Sequence, residues 1–284
     1  MARVAIVTDS TADLPADLRQ REGIAMVPLD IRFGDEVFRD QIEITTEEFM
    51  ARLGRSSTLP RTSQPAPARF EETFRGLAAE HDAIVAVLIS PKLSGTLQAA
   101  TIAQEAVRDA IPVEIVDSTT GSMALGLQAL RAAELARRGL EATAIADRLR
   151  AETTANHILF FVDTLEYLQR NGRIGRAAAL IGGVLQLKPL LRVDEGQVVP
   201  FERTRTRAKA IQGLIDFVGD LPHVERLSVV YSSSATEAAG LADRLATSVG
   251  TPRERIILAQ LGPVIAAHIG PGAMGVAVFE GEAV

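Results

Sequence analysis

The sequence predicts an α/β protein of two α/β domains, and its order of buried strands and helices carries that prediction. Apolar runs such as Ile84–Ile89 are too uniform for a strand with one solvated face, so they indicate strands of a parallel sheet covered on both sides. Helical patterns follow most of these runs, as is typical of α/β folds. The second half changes character, which predicts a parallel-sheet domain at 1–155 and a second α/β domain at 156–284.

Two of the predicted strands end in the same short sequence of polar residues. Val4–Val7 leads into Asp9-Ser10-Thr11, and Val113–Val116 leads into Asp117-Ser118-Thr119. Each Asp or Ser can cap the helix that follows. Alternatively, both turns line the carboxyl-end edge of one parallel sheet, where ligands of such folds gather. The recurrence favours a shared edge.

Between these two strands, the chain carries three local signals. Residues Met26–Arg39 alternate between apolar and polar around a Gly-Asp pair and predict a hairpin. Thr45 and Glu48 form the sequence pattern of a capping box ahead of a helix. Residues Leu59–Pro65 hold Thr62 between two prolines, which predicts a stiff loop outside regular structure.

The buried strand at 84–89 ends at Ser90-Pro91, and a helix is predicted over Gly95–Ala110. Ser94 and Gly95 therefore lie where a strand ends and a helix begins, a position at which free backbone N–H groups and the helix dipole favour an anion. The alternative is that Ser94 or Thr96 simply caps the helix.

The remaining elements are predicted from periodicity and from glycine stops. A strand is expected at His157–Val162, and Leu190–Glu202 is expected to form a hairpin around Glu195-Gly196. The other expected helices lie at 67–80, 121–138, 142–152, 164–170, 177–187, 206–218, 237–248 and 262–269, and the other expected strands at 227–231, 256–259 and 273–279.

The composition limits the classes of function. A net charge of −6 over 284 residues disfavours binding to nucleic acid, and no apolar run is long enough for stable membrane insertion. The absence of cysteine excludes disulfides and thiolate catalysis and is compatible with a cytoplasmic location. The four histidines lack metal-ligand spacing, so neither a metal nor a cofactor is expected. The first residues do not form a signal peptide.

Four candidates for chemistry lie in the second half. Residues Gly270–Gly275 match the GxGxxG pattern, but a strand is expected to follow them, so a tight turn that fixes His268 is favoured over a nucleotide site. His268 is either a core residue, a donor to an anion or a general base beside a serine. Arg173 and Arg205 lie in basic loops. Each is either a solvated surface charge or a residue that holds a carboxylate or docks an acidic partner.

Taken together, seven motifs resemble the DegV family, the fatty-acid-binding subunits of bacterial fatty acid kinase. The motifs occur in the family's order and span nearly the whole chain. They are TDSTADL at 8–14, TSQP at 62–65, LSGTLQ at 93–98, VDS at 116–118, GRIG at 172–175, LKPLL at 187–191 and LGPVIAAHIGPGAMG at 261–275.

The resemblance implies a DegV-like α/β fold with a lipid tunnel at the junction of its two domains. It implies that Thr62, Ser94, Gly95 and His268 hold the carboxylate of a long-chain fatty acid. Arg173 and Arg205 are implied at the head group or at the surface that faces the kinase. The protein would then be a non-catalytic subunit that presents its bound fatty acid to an ATP-dependent kinase for acyl-phosphate formation in phospholipid metabolism.

This chain departs from the family beside the histidine. The family often has Gly-Thr before it and Thr after it, whereas this chain has Ala266-Ala267 and Ile269. The loss of hydroxyls is expected to alter the hydrogen bonds around His268. The alternative function is a serine hydrolase or esterase that acts on acyl substrates through Ser94 and His268, with Asp9 or Asp117 orienting the imidazole.

Overall fold

The computed structural model of the chain describes residues 3–56, 58–181 and 187–281. These residues alternate between strands and helices over most of their length, as the sequence predicts. In chain order the strands are β1 (Val4–Asp9), β2 (Ile24–Val27), β3 (Asp30–Phe33), β4 (Glu36–Arg39), β5 (Arg61–Ser63), β6 (Ala83–Leu88), β7 (Val113–Asp117), β8 (Asn156–Phe161), β9 (Leu190–Asp194), β10 (Gln197–Glu202), β11 (Arg226–Tyr231), β12 (Ile256–Gln260) and β13 (Met274–Phe279).

The helices occupy the intervals between the strands. In chain order they are α1 (Ala16–Arg21), α2 (Thr46–Leu53), α3 (Pro67–Leu77), α4 (Thr96–Val107), α5 (Ser122–Arg137), α6 (Ala142–Ala151), α7 (Glu166–Arg170), α8 (Arg207–Gly219), α9 (Ala235–Val249) and α10 (Pro263–Ile269). Within the described ranges, no helix has the length and apolar character needed to cross a membrane.

Three sheets organise these elements. Strands β2-β1-β6-β7 form a parallel sheet in that order, which confirms the parallel sheet predicted for the first half. Strands β10-β9-β8-β13-β11-β12 form a second, mixed sheet in which only β11 and β12 are parallel neighbours. Strands β4-β3-β5 form a small antiparallel sheet. The α/β fold class is thus confirmed, while the domain division at residue 155 stays a prediction.

Helix α5 lies between the two large sheets, and this position explains its alanine-rich composition. It contacts β1 and β6 of the parallel sheet and β8 and β13 of the mixed sheet. Residues 122–130 of the helix are all buried. A helix that is apolar on every side is stable only when it is covered on every side. The buried residues of this alanine-rich helix accordingly belong to the largest core cluster.

Two interpretations of the first half were wrong. The alternating stretch 26–39 is not one hairpin, because its first residues belong to β2 and pair with β1 of the parallel sheet, and only β3 and β4 form the hairpin. The segment 59–65 is not wholly irregular, because Arg61–Ser63 forms β5 and pairs with β3. Both errors concern pairing between residues that are distant in sequence. The capping box of Thr45 and Glu48 is confirmed.

The predicted helix over 177–187 is also partly wrong. Residues Gly175–Leu180 form a 3-10 helix rather than the start of an α-helix. Most of the remaining residues of that prediction, 182–186, lie outside the described residues. The hairpin at 190–202 is confirmed by the antiparallel pairing of β9 with β10.

Candidate functional site

The carboxyl ends of the parallel strands meet at one edge, as the repeated Asp-Ser-Thr turns predict. Asp9 at the end of β1 accepts a hydrogen bond from the Ile89 N–H, just beyond the end of β6, at 2.9 Å. The Ser118 N–H, just beyond β7, donates to the Leu88 carbonyl at 3.0 Å. Asp9 also accepts a hydrogen bond from the Thr11 N–H and caps a single 3-10 turn. The residue therefore acts both as a cap and as part of the shared edge of the sheet.

A cavity of about 850 Å³, including its open mouth, lies between this edge and the face of the mixed sheet. The walls are mostly apolar, and they include Ile89, Leu93, Leu261 and Ile265. The mixed sheet contributes Ile158, Phe160, Val193, Val198, Val230 and Met274.

Thr62 and His268 form the central polar pair of this cavity. Thr62 lies on β5, where it pairs with Ile31 of β3, and His268 lies in the last turn of α10. The Thr62 Oγ1 and His268 Nε2 atoms are 2.8 Å apart. Helix α10 packs against β3 and β5, so the pairing of these strands determines where the threonine meets the imidazole.

Ser94 and Gly95 lie at the start of α4, beside the same cavity. Ser94 lines the cavity, and its Oγ lies 2.8 Å from Thr96 Oγ1. Gly95 is the N-cap residue, and no side chain caps the helix, so the interpretation of Ser94 or Thr96 as a cap was wrong. The first N–H groups of α4 are therefore free of a side-chain acceptor.

Gly95 lies close to the side chain of Gln64. A Cβ atom at position 95 would lie 3.1 Å from both Cδ and Nε2 of the Gln64 side chain. This contact brings the TSQP segment against the start of α4. Gln64 also lines the cavity, a contribution that the sequence did not single out although the motif contains it.

Arg173 reaches the cavity from the glycine-rich basic loop. Its Nε donates to the Leu93 carbonyl at 3.1 Å, and its Nη1 donates to the Asn171 carbonyl at 2.9 Å. Asn171 in turn donates to the Ala267 carbonyl of α10 at 2.8 Å. Among the described residues, no carboxylate pairs with Arg173 and its Nη2 has no hydrogen-bond partner. The site thus contains a cation without a counter-charge.

His268 is held in its neutral form. Burial and, to a lesser degree, the nearby Arg173 charge lower the pKa of His268 to about 4. The imidazole lines the cavity. A neutral imidazole can donate or accept a hydrogen bond but cannot balance a carboxylate, so Arg173 is the group in this cavity that can supply the positive charge.

One ring nitrogen of His268 has no hydrogen bond among the described residues. Ala266 and Ala267 are fully buried and offer no hydroxyl. The His268 Nδ1 atom is buried and has no hydrogen-bond partner within the described part of the chain.

Arg205 is separate from the other candidate residues. It lies in the exposed turn between β10 and α8 and does not line the cavity. No ion pair joins it to another described residue. The structure therefore brings Thr62, Ser94, Gly95, His268 and Arg173 together and leaves Arg205 at the surface.

The arrangement lacks the hydrogen bonds of a serine hydrolase. The Ser94 hydroxyl bonds with Thr96, and His268 Nε2 bonds with Thr62, so nucleophile and base are not paired. The carboxylates expected to orient the imidazole bind other groups: Asp9 binds Thr11 and the Ile89 N–H, and Asp117 binds the Thr119 N–H. The hydrolase alternative gains no support from this geometry.

The glycine pattern at 270–275 is a turn, as expected. Helix α10 precedes it and β13 follows it, which is the reverse of the strand and helix of a dinucleotide fingerprint. Gly270 and Gly272 have φ values of +75° and +76°, and the turn ends the helix directly after His268. The nucleotide-binding alternative is therefore not supported.

Thr11 and Ser122 are buried polar residues that also line the cavity. The sequence did not identify either of them as a lining residue. Each is bound to a buried carboxylate, since the Thr11 hydroxyl donates to Asp9 and the Ser122 hydroxyl donates to Asp13. The Asp-Ser-Thr turn was the signal for Thr11. Nothing in the local sequence distinguishes Ser122, because only the packing of α5 places it at the cavity.

Comparisons with known proteins agree with this fold. The chain matches the family described as "Uncharacterised protein, DegV family" over residues 3–281. A DegV domain-containing protein of Streptomyces coelicolor is 41% identical over 282 residues, which cover 97% of this chain and 98% of that protein.

Solved structures give the same result. A DegV family protein from Thermus thermophilus, described for its fatty acid binding, superimposes with a TM-score of 0.89 at 36% identity and covers 98% of this chain and 99% of that one. DegV of Bacillus subtilis, described as a fatty acid binding protein, superimposes with a TM-score of 0.88 at 33% identity and covers 99% of this chain and 100% of that one.

Proposed function

The chain belongs to the DegV family, and on that premise we propose that it binds a long-chain fatty acid in the cavity between its two large sheets. The acyl tail occupies the apolar part, and the carboxylate lies at Thr62, Ser94, Gly95 and His268. The single observation that carries the proposal is an apolar cavity whose polar residues include a cation, Arg173, that no carboxylate of the described chain neutralises.

The walls of the cavity suit an unbranched hydrocarbon chain. Aliphatic side chains supply most of the lining, and Phe160 is the aromatic residue among the described lining residues. Each methylene group that leaves water for such a surface contributes about 0.8 kcal/mol. A fatty acid gains most of its affinity in this way, and two relatives at 36% and 33% identity are described as binding fatty acids.

The polar groups suit a carboxylate rather than a neutral head group. Arg173 supplies the positive charge, and hydrogen bonds that involve a charged group are about twice as strong as neutral ones. The Thr62 hydroxyl, oriented by the Nε2–H of a neutral His268, donates to the carboxylate together with the Ser94 hydroxyl and the Gly95 N–H. The uncapped N-terminus of α4 adds a favourable field.

We propose further that the protein is a non-catalytic subunit that presents the bound acid to an ATP-dependent kinase in the cytoplasm. A carboxylate oxygen attacks the γ-phosphorus of ATP, the bond between that phosphorus and the β–γ bridging oxygen breaks, and acyl phosphate and ADP result. Two exposed arginines, Arg203 and Arg205, lie in one turn and have no ion pair among the described residues, so they suit an acidic surface of the kinase. No cofactor or metal takes part in the proposed role of this chain.

Mass spectrometry of the purified protein tests the binding function. Extraction with organic solvent is expected to release a fatty acid, and oleate or palmitate is expected to bind to the stripped protein with a stoichiometry of one. Absence of any extracted fatty acid, together with no binding on titration, would refute the proposal.

A coupled assay tests the presentation of the acid. With the partner kinase, ATP and oleate-loaded protein, acyl phosphate is expected to form and can be trapped with hydroxylamine. Arg205→Gln is expected to lower this rate while leaving oleate affinity unchanged, because Arg205 is remote from the cavity lining. Wild-type turnover in R205Q removes Arg205 from the kinase-facing surface.

A further inference from the structure

We infer that Asp13 is a positioning residue for the proposed fatty acid site: its carboxyl group joins the start of the helix that carries His268 to the start of the central helix that walls the cavity. The inference rests on the proposed function and adds to it a residue that does not itself line the cavity. Asp13 lies in the turn after β1, at the beginning of the chain.

Two hydrogen bonds make the connection. The Gly262 N–H, directly before α10, donates to Asp13 Oδ1 at 2.8 Å. The Ser122 hydroxyl, at the first residue of α5, donates to Asp13 Oδ2 at 2.7 Å. One carboxyl group therefore ties together segments that are 249 and 109 positions away from it. Each of these segments contributes residues to the cavity wall.

The contact with Gly262 leaves no room for another side chain. A Cβ atom at position 262 would lie 3.1 Å from Asp13 Oδ1 and 2.5 Å from Gln41 Nε2. Gln41 is itself held, because its Nε2 donates to the Ser10 carbonyl at 2.8 Å. Helix α10 has only seven residues, so its start determines where His268 lies at its end.

The chemistry of Asp13 is that of a hydrogen-bonding bridge rather than an ion pair. The residue is 3% exposed, and no cation pairs with it among the described residues. Burial, with smaller contributions from the charges of Asp40 and Asp9, raises the pKa of Asp13 well above its ordinary value. Asparagine can keep both connections, because its oxygen can accept from Gly262 and its nitrogen can donate to Ser122.

Two substitutions at position 13 test the bridge. Asp13→Ala leaves the buried Gly262 N–H without an acceptor and is expected to weaken oleate binding about tenfold or more. Asp13→Asn keeps both connections, so its affinity for oleate is expected to stay within about threefold of the wild-type affinity. Circular dichroism establishes whether each variant is folded.

A second measurement does not depend on the fatty acid. In the ligand-free protein, the ¹⁵N resonance of His268 Nε2 reports its hydrogen bond with Thr62, and D13A is expected to shift it while D13N is not. If D13A does not fold, Gly262→Ala serves instead and is expected to shift the same resonance, because its new Cβ displaces Asp13 or Gln41. Gly240→Ala is the matched control, since a Cβ at that helical glycine meets no atom within 4 Å.

The outcomes separate this inference from the binding function. Absence of extracted fatty acid together with no binding on titration refutes the proposed function but leaves the His268 measurement valid. Wild-type affinity and an unshifted His268 resonance in folded D13A would overturn the role of Asp13. Equal loss of binding in D13N and D13A would also overturn it, because the amide retains both hydrogen bonds.

Discussion

Thr62 Oγ1 and His268 Nε2 are 2.8 Å apart although 206 positions of sequence separate the two residues. Each residue is held by a different element, Thr62 by the pairing of β5 with β3 and His268 by the last turn of α10. The neutral imidazole and the hydroxyl together form a hydrogen-bonding surface at the cavity. The proposed carboxylate site depends on this pair, and its consequences can be measured.

The first prediction concerns the Thr62 hydroxyl. Thr62→Val keeps the shape of the side chain but removes its hydrogen bond, so oleate affinity is expected to fall about tenfold. Titration calorimetry measures the loss. Thr101→Val is the matched control, because Thr101 is exposed and its hydroxyl binds only the Leu97 carbonyl of its own helix. Unchanged affinity in T62V would contradict the assignment of Thr62 to the carboxylate.

The second prediction concerns the charge of Arg173. Because this charge disfavours a protonated imidazole, Arg173→Gln is expected to raise the pKa of His268. Titration of the His268 ring by NMR gives the direction of the shift. The exposed Arg255, changed to Gln, is the control and is expected to leave the titration as it is. A His268 pKa that falls or stays constant in R173Q would show that the two groups do not interact.

The same variant is expected to bind fatty acid more weakly. Removal of a charge-assisted hydrogen bond to the carboxylate costs about 1.5–3 kcal/mol, or about tenfold to a hundredfold in affinity. The methyl ester of the same acid supplies the control, because it lacks the charge that Arg173 would balance. An equal loss for acid and ester would place the effect of R173Q in packing rather than in charge.

The third prediction is a pH dependence of stability due to His268. Its folded pKa of about 4 lies below the ordinary value of 6.5, so the unfolded chain takes up this proton first as the pH falls. The contribution of His268 to the free energy of unfolding is fully present above pH 6.5. It is lost as the pH falls toward 4, by at most about 3 kcal/mol. Denaturation at a series of pH values measures the change. As the pH falls from 7.5 to 4.5, the free energy of unfolding of His268→Gln is expected to rise relative to that of the wild type. A difference between the two proteins that does not change with pH would refute this.

The fourth prediction concerns Asp40, a fully buried carboxylate. Burial raises its pKa to about 7, and the Ser10 hydroxyl and the Val264 N–H offset this only in part. Neither Asp40 oxygen has a partner in full hydrogen-bond geometry among the described residues. The folded protein therefore keeps this proton at pH values where the unfolded chain has lost it, and stability falls as the pH rises from about 4 to 7.

Asp40→Asn removes this titration. The stability of the variant relative to the wild type is expected to increase between pH 5 and pH 8, by at most about 4 kcal/mol. Urea denaturation at several pH values measures the difference. Asp35→Asn, in the exposed turn between β3 and β4, is the matched control. A relative stability of D40N that falls with rising pH would contradict the prediction.

Several features could be predicted from local sequence because their causes are local. The capping box of Thr45 and Glu48 joins residues three positions apart, and the continuous apolar run at 84–89 signals a strand buried on both faces. The family motifs also identified the residues expected at the carboxylate. Four of these, with Arg173, meet at one cavity, while their roles in binding stay predictions.

Two errors of the sequence interpretation have different physical causes. The stretch at 59–65 reads as a loop because its partner strand, β3, lies about thirty positions earlier, and hydrogen bonding to β3 outweighs the proline signals. Ser94 resembles a helix cap, but its hydroxyl bonds with Thr96 instead. The pairing of β5 joins residues that are distant in sequence, whereas the bond between Ser94 and Thr96 is a local alternative to capping.

The sequence by itself determined the α/β class, most of the elements and the set of chemically notable residues, since these follow from periodicity, composition and motif. Only the tertiary structure decided that Thr62 meets His268, that Arg173 reaches the cavity while Arg205 does not, and that Asp13 joins Gly262 to Ser122. The reason is geometric: a hydrogen bond requires two atoms within about 3 Å, and for residues hundreds of positions apart that distance is set by strand register and helix packing.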